Sequence, residues 1–330
     1  MLKQRPNILL LFIIGFSFCC SKNLFGQNDS TKTKYYSLSH LRELRFKQQI
    51  EKIDPLEQDI NYPVFGAISL SYAYAIYEIN NYYQNTWWKA DTNYIDDGSF
   101  HVVNDWDYAL WLDKIGHAYG TTLISHFFSA GFQAANLNQE LSTWLGALGG
   151  LSMQLYVEIQ DGFAPIDKTS GEPKWGFSPG DAVADLLGAG YFVARYYYPY
   201  LNNFQMRVSY YPSDAMLDGR KPDHNISDDY DGQKMWLAFR MENLLPKSWA
   251  KYWPDFLMLS AGYGVTGIGD YDCGKKTQPS YYLAFDIDAS RIPIYGEFAE
   301  FIKNTFNYFH FPLPGIKFSE QGVSFMLISY

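Results

Sequence analysis

The chain is short of cysteine, of positive charge and of the common catalytic signatures. It has three cysteines in 330 residues: Cys19, Cys20 and Cys273. The first two fall in an N-terminal leader, so the exported chain is expected to keep Cys273 alone and to form no internal disulfide. An oxidising compartment would then leave no covalent mark on the fold. There is no P-loop, no Gly-x-Gly-x-x-Gly after a strand, no Gly-x-Ser-x-Gly, no Cys-x-x-Cys and no His-Glu-x-x-His. Ordinary nucleotide-binding, serine-hydrolase and zincin readings are therefore unsupported. No internal repeat is evident.

Lys and Arg number 26 against 35 Asp and Glu, a formal net charge of −9. Residues 1–26 read as a secretory signal, with Lys3 and Arg5 before an apolar run from Ile8 to Phe18 that is too short to favour a spanning helix. Cleavage after Gly26 is expected. Cys19 and Cys20 would allow a lipid anchor, but Phe16-Ser17-Phe18 before them fits the small-residue pattern poorly, so ordinary cleavage is preferred. Removing 1–26 takes away Lys3, Arg5 and Lys22 and no acid, which leaves a formal net charge of −12. So acidic a chain makes a poor nucleic-acid binder, because phosphate contacts need Lys and Arg. The expected location is the periplasm or outer membrane.

Aromatics are in excess: 28 Tyr, 24 Phe and 9 Trp make up 18% of a chain that is 47% hydrophobic. Rings with one wet edge and one apolar face suit membrane interfaces or carbohydrate-rich surroundings. The length allows one large domain or two moderate ones. Residues 27–62 read as a polar arm, with Ser39 able to cap a short helix. From Pro63 to Trp88 the sequence is apolar and aromatic, long enough for a buried helix of about 16 residues by its apolar run. Residues 89–108 read as a loop. Helices are expected from about Trp106 to Phe132, from Asn138 to Gly162, and from a start at Ser178-Pro179 with Asp181 three after the cap, ending at Pro199. Gly146, Gly149 and Gly150 are costly in a helix unless a neighbour packs closely.

After Pro199 the period changes to two. Phe204, Met206, Val208 and Tyr210 alternate with Gln205, Arg207 and Ser209. Alternation returns over 235–242, 257–265, 281–288 and 323–327, joined by Gly, Pro and Asp turns. One face is apolar; the other carries Arg207, Arg240, Glu242, Asp286 and Asp288. Such a division fits either a sheet packed on the helices or an outer-membrane barrel with an apolar outside. The fold class is thus α+β: a core of three or four apolar helices over 63–200, followed over 201–330 by an antiparallel sheet or small barrel.

Three polar clusters interrupt the helical part. Asp113, Lys114 and His117 lie within one turn of a helix. Glu158 and Asp161 end the second helix, where acids oppose the helix dipole. Ser178, Asp181 and Asp185 open the third. Buried acids need partners, and the residues allow three accounts: ion pairing with Lys114 or His117, a metal on the acids and neutral His117, or a catalytic pair with His117 as base. Spacing does not choose among them. The catalytic candidates are His117, Glu158 and Asp185; the binding candidates are Asp113, Lys114, Asp161, Ser178 and Asp181. Whether a metal or cofactor is held is left open. His101, His126 and His224 have no comparable company and read as ordinary. The tyrosine runs at 72–83 and 196–200 read as core or interface aromatics.

At these residues the chain resembles the YfiM-like predicted periplasmic lipoproteins, a domain of unknown function. The likeness rests on Asp113-Lys114-x-x-His117, Glu158-x-x-Asp161 and Trp175-Gly176-x-Ser178-x-x-Asp181-x-x-x-Asp185-x-x-Gly188. Longer members from Bacteroidetes are similar over nearly the whole exported chain, including Ser99-Phe100-His101 and Tyr211 to Asp214. A fainter likeness is to VanZ-like proteins, although Asp185 stands where those have Asn. The resemblance implies an envelope protein with a helical core and supplies no activity. Two functions follow as expectations. One is a structural or binding component of the envelope, associated with the outer membrane or a protein partner. The other is an envelope lipid or glycan hydrolase or transferase using His117, Glu158 and Asp185, with or without a metal.

Overall fold

The computed structural model describes residues 60–221, 226–268 and 276–329. The leader, nearly all of the polar arm, Cys19, Cys20, His224 and Cys273 lie outside the described residues. What is described is α+β.

Helix α1 spans Tyr62–Gln84, with the Asn61 side chain accepting from Val64 N and a proline in the first turn. It is longer than its apolar run suggests and is only partly buried. Ile68 and Ala75 pack against Phe128 and Met153, while Leu70, Tyr74 and Tyr77 are exposed. The run is apolar all round, but the neighbouring helices cover one side of it.

Helices α2 (Leu112–Ala134), α3 (Gln139–Gly162) and α4 (Pro179–Tyr197) form the tight core. Asn138 and Ser178 cap α3 and α4 through their side chains. Close approach explains the glycines. A Cβ on Gly150 would sit 2.7 Å from the Thr121 carbonyl oxygen, and one on Gly188 would sit 2.3 Å from that of Ala118. Small side chains let the three helix backbones touch, and the polar clusters are drawn together at that contact.

Helix α2 begins six residues later than its apolar pattern suggests. Ala109, Leu110 and Trp111 have φ of 49°, 50° and 74°, a left-handed run that non-glycine residues rarely adopt. It turns the chain back so that residues before Tyr108 lie beside the start of α2. A two-residue ladder, β1 (Tyr94–Ile95) with β2 (Ile166–Asp167), ties the flanking loops together.

The second half is a six-stranded antiparallel meander: β3 (Phe204–Tyr210), β4 (Gln233–Phe239), β5 (Leu257–Thr266), β6 (Gln278–Ile287), β7 (Gly315–Ser319) and β8 (Gly322–Met326), in that order. Alternation over-extends β4, because Met241–Leu244 is a helical turn that takes Arg240 and Glu242 out of the strand. Helix α5 (Glu297–Phe306) and strand β7 have no counterpart in the alternation.

The faces of the sheet are inverted relative to a water-soluble sandwich. Leu237, Ala261, Leu283, Ile316 and Phe325 stand in register across five strands. That row points outward: Leu283 is 40% and Phe325 68% exposed. The opposite face is buried and mixed: Trp236, Ala238, Met258, Tyr282 and Ala284 lie there beside Gln205, Arg207, Ser209, Ser260, Ser280 and Asp286. The apolar face meets the helices over β3, β4 and the end of β5, where Met206, Val208, Met235 and Val265 pack on Leu112 and Tyr119. The segment after α5 pairs with β3, Val208 N donating to Tyr308 O at 3.0 Å and His310 N to Val208 O at 2.9 Å. Among the described residues no helix is long and apolar enough to cross a membrane.

Candidate functional site

Among the described residues a large buried polar network lies in each half. The first gathers every candidate site residue named from the sequence. Lys114, near the start of α2, places Nζ 3.0 Å from Asp105, 2.9 Å from Asp113 and 2.9 Å from Asp181. Asp105 enters through the left-handed run before α2 and accepts from Ser178 Oγ at 2.5 Å. Ser178 also caps α4, accepting from Asp181 N at 3.1 Å. One hydroxyl thus joins the helix start to the Lys114 cluster.

His117 sits one turn further along α2. Its Nδ1 lies 3.2 Å from Asp185 and 3.8 Å from Glu158; its Nε2 lies 3.8 Å from Asp113 and 3.7 Å from Asp181. Glu158 is held by Ser178 N, which donates to Oε2 at 3.2 Å. Asp185 Oδ1 accepts from Thr121 at 2.9 Å and Gln154 at 3.4 Å, while its Oδ2 is buried without a hydrogen-bond partner. Asp161 lies further out, accepting from Trp88 Nε1 at 2.5 Å. Tyr230 reaches over from the β half and donates to Asp113 at 2.5 Å.

The charges do not balance. Asp105, Asp113, Glu158, Asp161, Asp181 and Asp185 face Lys114 and His117. Burial pushes Glu158 up to about 9, against the opposing charge of His117. Burial likewise raises Asp161 to about 7 and Asp181 to about 6. For His117 burial acts downward, but the hydrogen bond and charge of Asp185, with the charges of Asp181 and Asp113, raise it to about 10. Burial opposes the charge on Lys114 too, yet Asp113 and Asp181 hold it well above an ordinary lysine. Burial would raise Asp113, but His117, Lys114 and the Tyr230 hydroxyl bring it below its usual value. At neutral pH the cluster therefore keeps a proton on Glu158 and on the imidazole. Carboxyls pushed up by burial beside a charged partner occur at functional sites and in structural ion-pair networks alike.

Asp105, Thr121, Gln154 and Tyr230 were not among the sequence candidates. Thr121 and Gln154 lie one turn from His117 and Glu158 on the same helix faces, a periodicity that could have found them. Asp105 and Tyr230 depend on backbone turns and tertiary packing that carry no local signal.

His126 and His101 stand apart from this network. His126 stacks on Phe301 and bonds Thr305, and His101 pairs with Asp97 on the surface. His310 was also missed. It lies between Asp286 (Nδ1, 2.7 Å) and Ser329 (Nε2, 3.0 Å), which has the order of a hydroxyl–imidazole–carboxylate relay. Ser329 is fully buried and also bonds the Leu313 carbonyl oxygen, so no substrate carbonyl has access in this fold. The neighbours of His310 make this second network structural. Arg207 donates to Asp286 at 2.7 Å, Gln205 at 2.8 Å and Asn307 at 3.1 Å, and Arg240 holds Asp288 at 2.6 Å.

A cavity of 440 Å³ opens between α2, α4 and the sheet. Trp111, Ile115, Leu187, Met235 and Tyr263 line it beside Lys114, and its size is that of small-molecule sites.

Residues 96–197 match the family of predicted periplasmic lipoproteins DUF2279. The DUF2279 segment contains α2, α3 and α4 and all six acids of the first network, together with Lys114 and His117. Tyr230, Trp88 and the whole sheet lie outside it. The match is consistent with an exported chain of the periplasm or outer membrane. No curated protein and no solved structure matches the chain.

Proposed function

We propose that this is a membrane-associated component of the cell envelope, held at the outer membrane by its β half, with the helical half presenting a polar binding site beside the lipid. The observation that carries the reading is the inverted sheet. Water penalises an exposed face that carries Leu237, Leu283, Ile316 and Phe325 in one row and Phe285 and Phe318 beside it, whereas lipid rewards an apolar exterior with the charged side chains held inside. Exposed Trp249, Tyr252 and Tyr295 are the residue types found at the membrane–water boundary. An anchor at Cys19 or Cys20, as the family's description as lipoproteins suggests, would add to the same attachment.

A flotation assay with phospholipid vesicles tests this, using the chain from Gln27 onward so that no lipid anchor contributes. Wild type is expected to float with the vesicles, and a Leu283→Glu, Ile316→Glu double variant to stay in the soluble fraction while keeping its circular dichroism. Equal behaviour of the two proteins would refute the reading.

The His117, Glu158 and Asp185 cluster supports a second reading, an envelope hydrolase or transferase. The apolar cavity beside Lys114 favours a lipid over a glycan as its substrate, since its lining offers few polar partners for sugar hydroxyls. In this reading Glu158→Gln gives a folded chain without activity.

A further inference from the structure

We propose that the side of His117 facing Glu158 and Asp185 binds one divalent transition-metal ion, of the Zn²⁺ or Mn²⁺ kind. This site does not depend on how the sheet meets the membrane. His117, Glu158 and Asp185 each offer one donor atom, and these atoms lie within 4.8 Å of one another. An imidazole nitrogen with two carboxylates suits such ions, whereas Ca²⁺ and Mg²⁺ favour all-oxygen sets.

His117 also belongs to a second group of the same kind, with Asp113 and Asp181, and geometry separates the two. Asp113 and Asp181 already have Lys114 Nζ at 2.9 Å each, and Asp113 receives the Tyr230 hydroxyl. Their charge is answered. Glu158 and Asp185 have no Lys or Arg within ion-pair distance among the described residues; their nearest cation is His117 itself. Asp185 is fully buried, and its Oδ2 has no hydrogen-bond partner. A buried carboxylate oxygen without a partner is costly, and a cation bound to this carboxylate would offset that cost.

The surroundings are those of a supported ligand set. Ser178 N fixes Glu158 by Oε2, which leaves Oε1 toward His117. Thr121 and Gln154 fix Asp185 by Oδ1. Asp113 and Asp181 stand at Nε2, on the far side of the ring, where an outer carboxylate commonly orients a metal-bound imidazole. The His117 side chain is 21% exposed, which provides an entry path.

Calorimetric titration of Zn²⁺ and of Mn²⁺ into the metal-stripped full chain in detergent tests the site. One equivalent is expected to bind. Glu158→Gln and Asp185→Asn should each weaken binding by about 100-fold or more, beyond the loss from an outer-shell change. Glu320→Gln, which alters an exposed carboxylate paired with Lys276 in the β7–β8 turn, should stay within about threefold of wild type on the same scale. If a ligand variant fails to fold, X-ray absorption of the wild-type Zn²⁺ complex decides, with one imidazole and oxygen neighbours expected. Absence of stoichiometric binding to wild type, folded ligand variants that bind equally well, or a first shell without imidazole would each overturn the proposal.

Discussion

The two buried networks hold similar residues in opposite electrostatic conditions. In the β half, Asp286 and Asp288 meet Arg207, Arg240 and His310 at hydrogen-bond distance. Burial would raise Asp288, but the charge and hydrogen bonds of Arg240, with Ser290 and Asn307, hold it at about 2. Asp286 is lowered against burial by His310 and Arg207. In the helical half six acids share Lys114 and His117, and burial carries Glu158, Asp161 and Asp181 upward. The network of the β half is closed on itself and holds strands, α5 and the chain end together. The network of the helical half is short of positive charge at one place, the Glu158–Asp185 side of His117. Burial alone therefore does not set the protonation of a buried acid; the balance of charge around it does.

The sharpest way to break this comparison is to remove one cation from the closed network. Arg207→Met leaves Asp286 buried without its guanidinium and is expected to cost about 3–5 kcal/mol, measured by denaturant unfolding. The matching change in the helical half should be mild. Glu158 keeps its proton at neutral pH, so Glu158→Gln replaces one neutral group by another and should cost less than about 1 kcal/mol in the metal-free chain. If Glu158→Gln cost as much as Arg207→Met, both networks would be structural and the contrast would fail.

Between these lies the packing that brings the clusters together. Gly150→Ala forces a methyl against Thr121 O and Ser125 Oγ and is expected to destabilise by about 1–3 kcal/mol, read as a lowered thermal midpoint.

Acid and base titrations should separate the halves further. Asp288 is depressed in the fold, so its contribution is present above the unfolded value of about 4 and is lost as pH falls through about 2. Asp161 is raised to about 7. The fold then holds a proton that the unfolded chain has released, and the contribution is present below about 4 and lost as pH rises through about 7. Thermal midpoints against pH should therefore lose their acid limb in Asp288→Asn and flatten on the neutral side in Asp161→Asn. The smallest effect is expected for Ser329→Ala, about 1 kcal/mol from a lost buried hydrogen bond, with no change in any activity found for the chain.

Much of this was legible in the sequence. Ser178, Pro179 and Asp181 fix the start of α4 through local capping chemistry, and α4 begins there. The glycines of α3 foretold close helix packing. Period-two alternation located five of the six strands, but it could not say which face was inside, because lipid and a protein core reward the same pattern. Asp105 was out of reach because Ala109, Leu110 and Trp111 take left-handed conformations that nothing in those residue types announces. Arg240 and Glu242 were misplaced in a strand because a single helical turn, Met241–Leu244, preserves alternation over so few residues. His310 and Asp286 meet only through the pairing of 308–310 with β3, a contact between distant segments.

The account turns on the helical network being completed by a cation that the chain does not itself supply. Elemental analysis of the full chain, extracted from the envelope without chelator and compared with His117→Ala, tests that most directly. The account predicts close to one divalent transition-metal ion per wild-type chain and its loss from the variant. A wild-type chain with no such metal, or equal content in both proteins, would contradict it.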